Sequence, residues 1–194
     1  MPRHIVIILG HPDPSPDRYC RALADAYRTG AESAGHDVAI VDVATLEFPL
    51  LRSHAEFNDS PVPDDIRTAQ DAISGADHLV VIYPLWLGTL PAMLKGFFEQ
   101  AFRPGFAIAF DDSYRWKKLL RGRSARVVVT MGMPALAYRF WFGAHSLRSF
   151  ERNILRFSGI APIRESLIGS VEASKPEARR KWLARMSKYG ALAR

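Results

Sequence analysis

Residues 77–96 read DHLVVIYPLWLGTLPAMLKG, and this stretch decides the fold. Its first part, Asp77–Tyr83, is an apolar run of strand length with no polar alternation. A strand that is apolar on both faces belongs in a parallel sheet covered by helices on both sides. A turn follows at Pro84–Leu90. Pro91 then opens a helix to Phe102, because its fixed φ and missing N–H suit a first helical turn.

The same alternation extends in both directions. Towards the N-terminus, His4–Leu9 (HIVIIL) is a strand too short and too β-branched for a helix. Asp17–Ala34 has Tyr19, Leu23, Ala26, Tyr27 and Ala31 at helical spacing, with Gly35 placed as its stop. Asp37–Val43 is a second strand. Phe48 to Pro63 reads as a long connection without a period, and Asp64–Ser74 as a short helix opened by two acids that suit its positive end. Towards the C-terminus, Gly105–Gly122 is an aromatic and basic excursion and Arg126–Met131 (RVVVTM) a fourth strand. Ala144–Ser158 is helical, with Leu147, Phe150, Ile154 and Phe157 on one face and Gly159 as its stop. Pro162–Ser170 supplies a last strand, and Ser174-Lys175-Pro176-Glu177 reads as a capping box for a final helix. Five strands alternating with helices give a doubly wound α/β domain with a five-stranded parallel sheet. Its 194 residues suit one domain, 1–194, with no repeat or linker.

Composition narrows the function classes. The hydrophobic fraction is 48%, that of a globular chain, yet no apolar run approaches the roughly 20 residues that span a bilayer. No small-residue cleavage site follows the first apolar stretch, so a leader is not expected and cytoplasm is the default location. The sole cysteine, Cys20, rules out an intrachain disulfide framework or a cysteine-based zinc site. A net charge of +6 attracts anionic partners, dinucleotide phosphates among them. The densest basic stretch, Arg115-Trp116-Lys117-Lys118 through Arg121, Arg123 and Arg126, carries no nucleic-acid motif, and a solvated connection explains it.

In a doubly wound fold ligands sit at the carboxyl edge of the strands, where strand order reverses. Three post-strand loops are informative there. Gly10-His11-Pro12-Asp13-Pro14-Ser15-Pro16-Asp17-Arg18-Tyr19-Cys20 leads directly into a helix, whose N-terminal N–H groups can take a phosphate with help from Ser15 and Arg18. It has neither GxGxxG nor a P-loop, and a proline-rich turn capped by Asp17 is the alternative. Pro84-Leu85-Trp86-Leu87 is an apolar loop suited to the edge of a flat heterocycle, or to a tryptophan that merely covers the core. Thr130-Met131-Gly132-Met133 offers a glycine for close backbone approach, with Tyr138 shortly after.

The segment Tyr83–Gly96, followed by Phe97-Phe98-Glu99-Gln100-Ala101-Phe102 and Gly105-Phe106-Ala107, resembles the flavodoxin-like NAD(P)H dehydrogenase (quinone) family, and Gly10-His11-Pro12 is a second match at the right distance. The resemblance covers nearly the whole chain in element order. It implies a flavodoxin-like fold, a flavin (FMN or FAD) as cofactor, NAD(P)H as donor, and two-electron reduction of a quinone-like aromatic acceptor with ping-pong kinetics. A homodimer is implied as well, with no nucleic-acid partner and no membrane insertion.

The resemblance also assigns residues. His11, Ser15, Arg18, Tyr19 and Cys20 would wrap the flavin phosphate. Pro84, Leu85, Trp86 and Leu87 would hold the isoalloxazine edge, largely through backbone N–H groups. Thr130, Met131, Gly132 and Met133 would flank its other side, the two methionines departing from the Thr-Thr-Gly-Gly of many relatives. Tyr138 matches the family's catalytic tyrosine, whereas His145 stands about one residue out of register with its histidine. Phe106, Ile108 and Phe110 fall in the excursion that lines the acceptor pocket, often across a dimer interface. Arg179 or Arg180 would bind an FAD pyrophosphate. Three rival readings are a flavodoxin-type electron carrier, a regulatory subunit of a potassium efflux system, and a Ser/His hydrolase using Ser15 and His11, which has no Gly-x-Ser-x-Gly elbow or evident orienting acid. The basic charge and the aromatic excursion argue against the first; an Arg-rich surface at Arg121, Arg123 and Arg126 would favour the second.

Overall fold

The computed structural model describes residues 1–110 and 115–194, so residues 111–114 of the aromatic and basic excursion lie outside it. Five parallel strands form the main sheet: β1 (His4–Leu9), β2 (Asp37–Asp42), β3 (His78–Pro84), β6 (Ser124–Thr130) and β7 (Ile163–Ile168), in the spatial order β2-β1-β3-β6-β7. Strands β4 (Ile108–Phe110) and β5 (Trp116–Lys118) pair separately as an antiparallel ribbon within the excursion. The helices are α1 (Tyr19–Ser33), α2 (His54–Asp59), α3 (Asp64–Gly75), α4 (Ala92–Ala101), α5 (His145–Ser149) and α6 (Pro176–Ala191). This is the flavodoxin-like arrangement. The strand order reverses between β1 and β3, which places a crevice above their carboxyl ends.

The unbroken apolar runs are explained by the side-chain alternation of a strand buried on both faces. From β1, Ile5, Ile7 and Leu9 point towards α1 and α6, where they meet Leu23, Tyr27 and Met186. Val6 and Ile8 point the other way, into a core shared with Ile66 and Ile73 of α3 and Leu94, Phe97 and Phe98 of α4. In β3, Val80 and Ile82 face the first cluster while Leu79, Val81 and Tyr83 face the second. Helices α1 and α6 approach each other through two glycines. A Cβ on Gly30 would collide with the backbone of Ser187, and one on Gly190 with the backbone of Tyr27.

Several expectations are corrected in detail. The connection before α3 contains α2, whose first turn is capped by Ser53: its Oγ accepts the Glu56 N–H at 3.1 Å, and the Glu56 carboxylate accepts the Arg52 N–H at 2.8 Å. The capping box at Ser174–Glu177 does not form. Pro176 takes the first helical position, which moves the cap to Lys175, and the Ser174 hydroxyl donates instead to the Val171 carbonyl at 2.7 Å. The expected helix Ala144–Ser158 is α5 continued through Phe150–Arg156 in the wider π form. Of the three arginines expected at a basic surface, Arg121 is exposed, Arg123 is half-buried and Arg126 is buried. Arg126 is 4% exposed and stacks on Tyr189 with its guanidinium 3.8 Å from the ring centre, and Arg123 donates to the Ile73 carbonyl at the end of α3. No helix among the described residues is long and apolar enough to cross a membrane.

Candidate active site

Above the carboxyl ends of β1, β3 and β6 lies a cleft of about 280 Å³. The loop after β1 and the start of α1 contribute His11, Arg18, Tyr19 and Cys20 to its wall. The loop after β3 contributes Pro84, Leu85 and Trp86, and the end of β6 contributes Thr130, Met131 and Gly132. The chain therefore brings together three loops that are more than forty residues apart in sequence. Val171 and Glu172, from the loop after β7, complete the wall. The sequence reading missed these two. The signal for them was positional: β7 lies beside β6, so its following loop also opens on this edge.

The α1 end of the cleft has the chemistry of an anion site. Arg18, not Asp17, is the N-cap residue, and its side chain makes no capping bond. Among the described residues the N–H groups of Tyr19 and Cys20 have no backbone acceptor, so the positive end of a 15-residue helix is left open to the cleft. Arg18 is held at this end by Asp13, whose Oδ2 accepts its Nε at 2.7 Å. The Ser15 N–H and then the Arg18 guanidinium keep the Asp13 carboxyl below its usual range. Ser15 itself turns into this loop, donating its N–H to Asp13 Oδ1 at 2.8 Å, and is not part of the cleft wall. Burial pulls the His11 imidazole below its ordinary value, partly countered by the Asp13 carboxylate. Cys20 is pinned to the end of β6 by the Thr130 hydroxyl at 3.3 Å, and burial pushes its thiol up to about 11. It serves as packing rather than as a thiolate.

The β3 side is apolar. Trp86 is 49% exposed and separates the cleft from a second groove of about 470 Å³, floored by Leu90 and Pro91 and walled by Ser146, Phe150 and Ile154. Leu87, with φ +48°, lies on this groove rather than in the cleft. Two amides expected to donate to a ring are already engaged: Leu85 N–H reaches the Thr130 carbonyl at 2.7 Å, and Trp86 N–H the Thr89 carbonyl at 2.9 Å. Those bonds hold the loop in shape and leave the ring edge to other donors. On the β6 side, an added Cβ on Gly132 would meet only the Glu172 carboxylate, at 3.9 Å, so the glycine keeps the cleft open rather than relieving a clash. Met133 packs against the core and is not in the cleft wall.

The remaining candidates lie outside the cleft. Tyr138 is 2% exposed; its hydroxyl is 2.9 Å from Ser146 Oγ and accepts the Leu147 N–H at 3.4 Å, so it caps α5 from the side. Tyr138 lies within a π turn, Ala137–Trp141, closed by Phe142 N–H to the Ala137 carbonyl at 3.1 Å. His145 stands exposed at the start of α5. Phe106 packs edge-on to Phe102 in the core, Ile108 is buried beside Phe98 and Phe157, and Phe110 is exposed. Arg179 is 2.9 Å from Ser174 Oγ and 2.8 Å from the Val171 carbonyl, so it straps the loop that carries Glu172. Arg180 is exposed on α6.

The doubly wound sheet thus carries, at its strand-order reversal, a cleft with an open helix N-terminus on one side and an indole on the other. The chain belongs to the flavodoxin-like fold family, whose family model matches residues 3–189. It is 27% identical to an uncharacterized NAD(P)H oxidoreductase of Haemophilus influenzae, over 90% of this chain and 88% of that one. Its backbone superposes on the NAD(P)H:quinone oxidoreductase of Methanothermobacter marburgensis with a TM-score of 0.82 and 26% identity, covering 98% of this chain and 96% of the other. It also shares the fold of an FMN-dependent NADH-azoreductase of Bacillus anthracis in complex with FMN, with a TM-score of 0.76, 13% identity and coverage of 98% and 99%.

Proposed function

We propose that this chain is a flavin-dependent NAD(P)H oxidoreductase that reduces quinone-like acceptors. The observation that carries the reading is the pairing of opposite requirements in one cleft: free helix N–H groups with Arg18 at one end, and Trp86 with an apolar groove behind it at the other. A phosphorylated aromatic heterocycle needs both. The names of the Haemophilus and Methanothermobacter proteins support the same class of chemistry.

The residues present fit a flavin. Tyr19 and Cys20 N–H groups with Arg18 would hold its phosphate, His11, Leu85 and Trp86 would hold one edge of its ring, and Thr130, Met131 and Gly132 the other. Ser15, Leu87 and Met133 would act from the loops behind. When bound, the flavin supplies two-electron transfer between a reduced nicotinamide and an acceptor. The protein's part is to orient, to exclude water and to handle protons. Trp86 and Leu87 would keep the groove dry for an aromatic ring. Tyr138 would steady a proton at the groove wall through Ser146, and His145 would stand next to that position on the same turn. NAD(P)H and acceptor would use the groove in turn, which gives ping-pong kinetics. Leu87 on the groove, and Phe110 and Trp141, are exposed, and a second copy of the chain would cover them, bringing the excursion of Phe106, Ile108 and Phe110 towards its partner's groove. The enzyme would act in the cytoplasm.

The test is direct. Full-length protein is purified, its visible spectrum recorded, and any released flavin identified by mass. NADH or NADPH oxidation is then followed with and without a naphthoquinone. A yellow protein that turns over only with donor and quinone together is expected. A colourless chain that takes up neither FMN nor FAD at micromolar concentration overturns the proposal.

A further inference from the structure

A second polar cluster lies beneath the groove, and the proposed reaction as described does not use it. Glu151 follows Phe150 on the helix that walls the groove and is 8% exposed, and its Oε1 has no hydrogen-bond donor. The side chain facing it across the helix–sheet contact is another carboxyl, Glu165 of β7. Glu165 is itself ion-paired with Arg139 of the π turn. Tyr83 of β3 completes the cluster. It is fully buried, edge-on to Phe150 at 6.1 Å, and its hydroxyl also lacks a partner. The charged groups facing Glu151 are thus Glu165 from β7, Arg139 from the π turn and Arg156 from its own helix, with the Tyr83 and Tyr138 phenols alongside.

Two carboxylates cannot hydrogen-bond to each other; one must carry a proton to donate. Two like charges brought together away from water are strongly unfavourable, so such a pair keeps one proton over a wide pH range. Arg139 already neutralises Glu165, which leaves the proton to Glu151. We propose that Glu151 holds a proton that it donates to the Arg139-paired Glu165 carboxylate, and that this contact is a positioning device that fixes the groove wall carrying Ser146 and Phe150. With the proton in place, Glu151 donates to Glu165 and the helix sits down on β7. Without it, Glu165 stays on Arg139 and Glu151 is driven towards water, taking with it the turn that bears Phe150. Burial first, and then the Glu165 charge, raise the Glu151 carboxyl to about 7, so the change falls near neutral pH. The effect on the acceptor rests on the proposed function, whereas the proton on Glu151 does not.

The experiment has two arms. In the first, side-chain carboxyls of the isotopically labelled full chain are titrated by NMR between about pH 4 and 9. One glutamate should titrate near neutrality, vanish in Glu151→Gln, and move down by a unit or more in Glu165→Gln. In the second arm, the KM for a naphthoquinone and the kcat are measured across the same range. KM should rise about fivefold through the transition with kcat little changed, and should stay flat in Glu151→Gln. Should that variant not fold, the shift in Glu165→Gln decides the matter. Titration of Glu151 in the ordinary carboxylate range overturns the proton contact to Glu165, and an unaltered KM profile in Glu151→Gln overturns the link to the groove. A chain that never reduces quinones removes the acceptor half alone, because the first arm judges the carboxyl pair without any flavin.

Discussion

The imidazole of His11 stands edge-on to the indole of Trp86, ring centres 6.0 Å apart and planes at 79°. The contact joins the loop after β1 to the loop after β3 across the strand-order reversal. Each ring is held on its own side: His11 Nδ1 accepts the Asp13 N–H at 3.1 Å, and Trp86 is fixed by its backbone bond to Thr89. Edge-to-face aromatic pairs are worth about 0.5–1.5 kcal/mol beyond the area they bury. The pair therefore ties two walls of the cleft to each other.

Trp86→Ala should for this reason weaken flavin binding by about tenfold while leaving the fold intact, because the indole is half exposed and belongs to neither core cluster. Flavin fluorescence quenching gives the Kd. Unchanged affinity in a folded variant would show that the indole merely covers the core.

At the other end of the cleft, Arg18→Ala removes the cation next to the open N–H groups of Tyr19 and Cys20. Hydrogen bonds to a charged partner are worth about 1.5–3 kcal/mol, so FMN affinity should fall tenfold or more. Riboflavin, which has no phosphate, should lose little. Equal losses for FMN and riboflavin would place the phosphate elsewhere.

Two glycines should behave oppositely. Gly132→Val adds a side chain that the protein tolerates but that projects towards the cleft, so flavin binding should drop with little change in Tm. Gly30→Ala forces a Cβ into the backbone of Ser187 and should cost about 1–3 kcal/mol of stability through the α1–α6 contact, with flavin affinity retained in the folded fraction. Thermal melts with and without FMN separate the two outcomes.

Much of this architecture was legible because it depends on short-range patterns. The β1, β3 and β6 runs are apolar on both faces, and their following loops had to open on one edge. What escaped was settled by competition between similar local signals. A Ser-x-x-Glu pattern occurs at Ser53–Glu56 and again at Ser174–Glu177. Only the first caps a helix, because Pro176 prefers the first helical position and displaces the second. Arg126 looked like surface charge, yet long-range packing buries it against Tyr189 and the Arg194 carbonyl. Glu172 joined the cleft through sheet order, which no local pattern encodes.

Stability should depend on pH through two buried groups of opposite sign. Burial, with Arg126 next, pulls the His78 imidazole from 6.5 to about 3. Its folded state resists protonation, so its contribution is present above pH 6.5 and is lost as pH falls towards 3. Glu151 behaves in reverse. Its folded carboxyl is raised from 4.5 to about 7, so its contribution is complete below pH 4.5 and is lost as pH rises through 7. Between pH 4.5 and 6.5 acidification therefore strengthens one contribution while weakening the other, and the wild-type profile should be nearly flat. Each pKa unit corresponds to about 1.4 kcal/mol. Glu151→Gln removes one side of this balance. At about pH 8 it should raise stability by about 1–3 kcal/mol, and from pH 6.5 down to 4.5 its Tm should fall more steeply than that of the parent, exposing the His78 slope. Calorimetry of both proteins at three pH values decides it; parallel profiles would mean that Glu151 is ionised in the folded chain throughout.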